Sequence, residues 1–163
     1  MTLRRPHSVH VFLVRIVDGE RSYLLLHRRA RTDLDLPAFW QGVSGALDVD
    51  EDFPAAARRE VEEETGLRPD RFVDTGFQHR YPVRPEWRRS YEPDAVEVQE
   101  RVFFAIVPST AMPTLSNEHQ AWRWCTSDEA VDLLTFGGTA DCLRAVEGTI
   151  RSTSRVARSS SSH

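Results

Sequence analysis

Long hydrophobic runs, paired cysteines, internal repeats and a surplus of positive charge are all missing from this 163-residue chain. Each absence removes a class of function. The longest apolar run near the start, Val9 to Val17, is interrupted by His10 and Arg15 and is too short to span a bilayer, so no membrane partner is expected. It carries no small-residue cleavage site, so a signal peptide is not expected either. Cys125 and Cys142 lie far apart, in no metal-binding or redox spacing, and read as reduced thiols of a cytoplasmic protein. A net charge of −4 argues against non-specific binding of nucleic acid. No linker divides the chain. One domain is expected over residues 1–150, as a monomer or homodimer, followed by a disordered tail over 151–163, "RSTSRVARSSSSH".

What is present is an ordinary globular composition, 40% hydrophobic and 28% charged. "HSVHVFLVRIV" (7–17) and "SYLLLHRRA" (22–30) read as a strand pair joined by "DGE". "WQGVSG" (40–45) reads as a short buried strand. The segments 71–83 and 95–108 read as long strands, with 84–94 too polar and proline-punctuated for helix or strand. A short strand is expected at 121–126, then a helix over 127–134 capped by Ser127, and a last amphipathic helix over 139–150.

The densest feature is "GALDVDEDFPAAARREVEEETGL", residues 45–67. Asp52 suits an N-cap, Pro54 the first turn and Gly66 the C-terminal stop of a helix. At helical spacing Glu63 and Glu64 flank Glu60 on one face, while Glu62 points elsewhere. Like charges so placed repel by about a few tenths of a kcal/mol per pair. Such a cluster either faces solvent or holds a cation, and converging carboxylates suit hard cations such as Mg²⁺ or Mn²⁺. Glu51 and Arg59 can stiffen the loop-to-helix corner beside it.

These residues resemble the signature of the Nudix hydrolases, G-xxxxx-E-xxxxxxx-R-E-U-x-E-E-x-G-U with U a bulky aliphatic residue. Gly45, Glu51, Arg59, Glu60, Val61, Glu63, Glu64, Gly66 and Leu67 fill it without a gap. A chance match in one register is on the order of one in 10⁸. The resemblance implies an α/β/α sandwich around a mixed β-sheet and a Mg²⁺-dependent hydrolase of phosphoanhydrides, with Mn²⁺ an alternative. Carried onto this chain, it makes Glu60, Glu63 and Glu64 metal ligands together with the backbone carbonyl of Ser44. Glu63 then acts in catalysis, with Arg59 and Glu51 supporting the site.

The general base of this family varies, so a further carboxylate is needed. Glu97 and Glu100 fall on opposite faces of one strand, and each alone reads as a solvent-facing carboxylate. The wider chain, in "LLLHRRA", "FWQGVSGALD", "HRYPV", the Glu100–Phe103 pattern and "EHQAWRW", resembles bacterial dihydroneopterin triphosphate pyrophosphatases. In that branch a late-loop glutamate before a histidine lies by the metal. It maps to Glu118, expected as base and metal neighbour, with His119 either orienting it or structural. Arg28, Arg29, Arg80, Arg84, Arg88 and Arg89 are candidates for phosphate contact, Arg28 and Arg80 first among them. Trp40, Gln41, Tyr81 and Trp87 are candidates for a flat heterocycle, although Trp40 reads more readily as core. The expected substrate is a small nucleotide or pterin triphosphate. The alternatives are a diadenosine polyphosphate, a damaged nucleotide, or binding without turnover; the intact carboxylate set speaks against the last.

Overall fold

The computed structural model describes residues 3–160. Strands β1 (His7–Val17) and β2 (Glu20–Arg28) form the expected hairpin, turned by Asp18 and Gly19, both at positive φ. Residues 40–45 are two strands rather than one: β3 (Phe39–Gln41) and β4 (Val43–Ala46) part at Gly42. Gly42 tolerates nothing larger, since a Cβ there would lie 2.7 Å from the Val11 carbonyl oxygen. Helix α1 (Phe53–Thr65) starts and stops where the sequence places it. Asp52 accepts the Ala55 N–H at 2.9 Å, and Gly66 closes the helix in the left-handed region at φ 72°.

Then follow β5 (Val73–Pro82), β6 (Glu97–Ile106), β7 (His119–Cys125), α2 (Ser127–Leu133) and α3 (Thr139–Ser160). Three expectations need correction. Residues Pro85–Ser90 form a short 3-10 helix inside the segment read as irregular. The cap of α2 is Thr126, not Ser127, because Thr126 and Glu129 complete a reciprocal capping box. Helix α3 runs on to Ser160 instead of ending at residue 150; neither glycine nor proline follows Gly148, and extending an existing helix is far easier than starting one. Residues 161–163 of the expected tail lie outside the described residues.

The sheet has seven strands, ordered β3-β2-β1-β6-β5, with β4 also paired to β1 and β7 to β2. β1 and β6 run parallel and the other pairs antiparallel, so the sheet is mixed, as expected. Alternation along the strands supplies two cores. Val9, Val11, Leu13, Phe103 and Ala105 pack with Ala56, Ala57 and Val61 of α1. Phe12, Val14, Val102 and Phe104 pack with Ala130 of α2 and Leu143 and Val146 of α3. Covering both faces makes the α/β/α sandwich. Both cysteines are free and buried in the second core. No helix among the described residues is long and apolar enough to cross a membrane.

Candidate active site

Helix α1 lies against β1 and β4, and Glu60, Glu63 and Glu64 in its C-terminal half line one wall of a cavity of about 540 Å³. The face assignment along the helix holds. Glu60 and Glu64 are buried, Glu63 is half-exposed at the cavity, and Glu62 turns outward to pair with Arg68 at 2.8 Å. Arg59 uses all five of its N–H groups. Nε and Nη2 hold Glu51 at 2.9 Å each, Nη1 reaches Glu60 at 2.8 Å and Glu63 at 3.2 Å, and the second Nη2 proton goes to the Ala46 carbonyl at 2.9 Å. Glu51 in turn accepts the Asp48 N–H at 2.9 Å, so the turn before α1 is tied to the helix.

The Glu60 carboxylate rests against the bare Cα of Gly45. A Cβ there would sit 2.1–2.4 Å from its carboxylate atoms, so only glycine fits. Burial pushes the Glu60 carboxyl up to about 7; Arg59 opposes this, and the neighbouring charges of Glu63 and Glu64 add to it. Burial also pushes Glu64 up, but His119 and Ser116 more than offset it and leave Glu64 below its ordinary value. His119 Nε2 lies 2.8 Å from Glu64 Oε2, and Ser116 donates to that oxygen at 2.6 Å. Of the two readings of His119, the structural one fits: it holds Glu64 rather than orienting Glu118.

Glu118 is exposed at the cavity, and a carboxylate oxygen of it lies within 4.8 Å of ligand atoms of Glu64 and His119. Its backbone carbonyl accepts the Arg29 N–H at 2.9 Å, which fixes the loop before β7 to the end of β2. Glu97 is placed elsewhere: it is exposed and pairs with Arg80 at 3.5 Å. Glu100, read as solvent-facing, is buried at the cavity wall. A solvent-facing reading fails on an inner strand of a sandwich, where both faces are covered. His10 Nδ1 (3.3 Å) and His79 Nδ1 (3.2 Å) meet its Oε1, while Ser8 (3.2 Å) and Ser44 (3.1 Å) meet its Oε2. Burial raises Glu100, yet His10 and His79 bring it down to about 2.

Another part of the cavity wall is aromatic. Phe39 and Phe136 stack at 4.3 Å, and the Arg84 guanidinium lies over Phe136 (5.5 Å) and over Trp87 (5.1 Å). Trp87 meets Tyr81 edge-on at 6.4 Å. Arg28 is opposite Phe39 in the β2–β3 register, lies within the field of Glu118 and Glu64, and is lowered by its burial. Gln41 is only 4% exposed, lines the cavity, and its carboxamide finds no hydrogen bond among the described residues.

Arg28, Gln41, Ser44 and Tyr81 thus line the cavity with Glu60, Glu63, Glu64 and Glu118. Trp40 and Arg80 do not. Side chains alternate along a strand, so Phe39 and Gln41 facing in sends Trp40 out, where it stacks on His27 at 4.7 Å. His79 and Tyr81 facing in sends Arg80 out in the same way. The sequence reading missed Phe39, His79 and Phe136. Choosing Gln41 obliges Phe39 by that alternation, and this was the available signal; nothing in the sequence pointed to Phe136.

Among known families, residues 6–144 match the NUDIX domain. The chain is 32% identical over 142 residues to an octanoyltransferase of Myxococcus xanthus, covering 85% of this chain but only 37% of that protein. It is 28% identical over 148 residues to the dihydroneopterin triphosphate diphosphatase of Haemophilus influenzae, covering 88% of this chain and 90% of that one. Among solved structures, the dihydroneopterin triphosphate pyrophosphohydrolase of E. coli superposes with a TM-score of 0.73 at 25% identity, over 93% of this chain and 99% of that one.

Proposed function

The chain belongs to the Nudix family of phosphoanhydride hydrolases, and we propose that it is a Mg²⁺-dependent pyrophosphohydrolase of a (deoxy)nucleoside triphosphate or of dihydroneopterin triphosphate. The products are the monophosphate and pyrophosphate. One observation carries this reading: a single cavity joins the carboxylates of Glu60, Glu63, Glu64 and Glu118 to an aromatic slot, with Arg28 also in its lining.

The donor set fits a hard divalent cation. Glu60, Glu63 and Glu64 offer carboxylate oxygens from one helical face, Ser44 offers a backbone carbonyl, and Glu118 stands beside Glu64. Desolvated Glu60, raised by its acidic neighbours, is the kind of group that a cation relieves. A bound cation would neutralise the pyrophosphate and lower the pKa of the attacking water.

The chain's own groups do the rest. Arg59 and Glu51 orient the carboxylates, and His119 keeps one oxygen of Glu64 in place. Arg28 presents a guanidinium to a phosphate oxygen. Phe39, Phe136 and Tyr81 take a planar ring, and Gln41 offers its free carboxamide to the ring's polar edge. Glu118 accepts the proton of the water that attacks phosphorus, while the electron pair of the broken P–O bond leaves on the pyrophosphate oxygen. Glu100 cannot serve as this base, because four donors already occupy its two oxygens.

A substrate panel tests the reading: nucleoside triphosphates, dihydroneopterin triphosphate, dinucleoside polyphosphates and ADP-ribose, each with Mg²⁺ and with EDTA. A triphosphate bearing a planar ring is expected to give the highest kcat/KM, with no turnover in EDTA. Highest kcat/KM on ADP-ribose overturns the substrate assignment, and undiminished turnover in EDTA overturns the metal assignment.

A further inference from the structure

Glu100 is the most fully bonded side chain in the cavity, and the proposed chemistry gives it no role. It stands where β1, β4, β5 and β6 come together: Ser8 is its partner on β1, His79 its partner on β5, and Ser44 is opposite His10 in the β1–β4 pair. The Gly42 N–H donates to His10 Nε2 at 2.9 Å, so that nitrogen is bare and the ring proton of neutral His10 is on Nδ1, facing Glu100. The Ser8 hydroxyl proton is shared between Glu100 Oε2 at 3.2 Å and the Gly45 carbonyl oxygen at 2.9 Å. Ser44 Oγ lies 3.1 Å from the same Oε2. One oxygen of Glu100 therefore gathers the two imidazoles. The other gathers the two hydroxyls that hold residues 44 and 45.

We propose that Glu100 is a positioning residue for the metal-holding corner: through Ser8 and Ser44 it sets where the backbone of Ser44 and Gly45 lies beneath the Glu60 carboxylate. Contact between Gly45 and Glu60 is close enough that a methyl group cannot enter, so a displaced β4 displaces Glu60 with it. The role is geometric. A glutamine in place of Glu100 keeps its oxygen toward the two imidazole N–H groups and turns its NH₂ toward Ser8 and Ser44, whose hydroxyls rotate to accept. An alanine leaves His10, His79 and Ser44 without this acceptor and Ser8 with the Gly45 carbonyl alone.

The inference rests on the reading of Glu60, Glu63 and Glu64 as metal ligands, and the test keeps the two apart. Mn²⁺ binding is measured by calorimetry without substrate on the unaltered protein and on Glu100→Ala, Glu100→Gln and Ser44→Ala. Leu143→Ala, in the core of the opposite face, serves as a control for lost stability alone. Outer-shell partners of metal ligands are typically worth about 10–100-fold in affinity. Glu100→Ala is expected to weaken Mn²⁺ binding by about that factor, Ser44→Ala in the same direction by less, and Glu100→Gln and Leu143→Ala hardly at all. Should Glu100→Ala fail to fold, Ser44→Ala still decides, because it removes only a half-buried hydroxyl. Unaltered affinity in both Glu100→Ala and Ser44→Ala overturns the positioning role. Equal losses in Glu100→Gln and Glu100→Ala overturn its geometric basis. No Mn²⁺ binding by the unaltered protein overturns the metal reading itself.

Discussion

Glu60 and Glu100 line one cavity and both are buried, yet the first is raised to about 7 and the second lowered to about 2. Desolvation acts on both in the same direction. The difference lies in their neighbours. Glu60 has one guanidinium, shared with Glu51 and Glu63, and two further carboxylates close by. Glu100 has four donors and no acidic neighbour among its partners. A buried carboxylate short of donors is ready for a ligand, whereas one whose donors are complete is part of the scaffold. The two halves of the cavity wall are therefore different in kind: one waits to be filled and the other is finished.

The sharpest way to break this comparison is on helix α1. Glu64→Gln is expected to lower kcat by about 10²–10³-fold with the fold intact, whereas Glu62→Gln, on the outward face, changes it little. Equal losses in steady-state assays would show that the facing of the helix does not decide function. Next comes Glu118. Glu118→Gln should lower kcat by about two orders of magnitude with KM changed much less, since general-base help is worth about 10²–10⁴-fold. Glu97→Gln, carried out of the cavity by its strand, should leave kcat close to normal. A collapse in Glu97→Gln with Glu118→Gln still active would reverse the assignment.

A smaller effect distinguishes the two acids by pH. Folded Glu60 keeps a proton up to about 7 that the unfolded chain gives up near 4.5, so the cation-free protein loses stability as pH rises through that window. Glu100 has the opposite sign: its contribution is complete above 4.5 and lost as pH falls toward about 2. Urea unfolding in EDTA from pH 4 to 8 should show the decline, and Glu60→Gln should flatten it. A stability that climbs steadily across that range in EDTA would contradict the state assigned to Glu60. The smallest expected effect lies in the aromatic part. Phe39→Ala should raise KM about tenfold, the order of one lost ring contact, and Trp40→Ala should lower thermal stability while KM is nearly unchanged. The reverse pattern would move the ring-binding surface to the other side of β3.

The same contrast explains what could be read in advance. The carboxylates of α1 lie within one helical turn, bounded by a cap, a proline and a stop, so their relative placement follows from local geometry. Glu118 was legible through its loop and its likeness to the family. Glu100 was not, because its partners come from residues 8, 10, 44 and 79 and only the tertiary pairing unites them. Arg80 lies outside the cavity for another reason, and so does Trp40, which packs against the second core as its stronger reading had it. Period-two alternation gives two equivalent faces, and the sequence does not say which one is in. On β5 the register also shifts between Asp74 and Gln78, around Gly76 at positive φ, so parity cannot be counted through from half-buried Val73 at the start of the strand.

The parallel pairing of β1 with β6 has a consequence in time. β1 is the first strand made, but the neighbour that brings Glu100 to His10 lies 90 residues further along the chain. Closing so long a loop has to precede the contacts that reward it, which places this pairing among the slow events of folding. Helix α1 needs no such wait; its cap, turn and stop are all contained within residues 52–66. On a ribosome the acidic helix is thus complete well before β6 has been synthesised. A growing chain carries the carboxylates of α1 before β6 can bring Glu100 to Ser8 and Ser44.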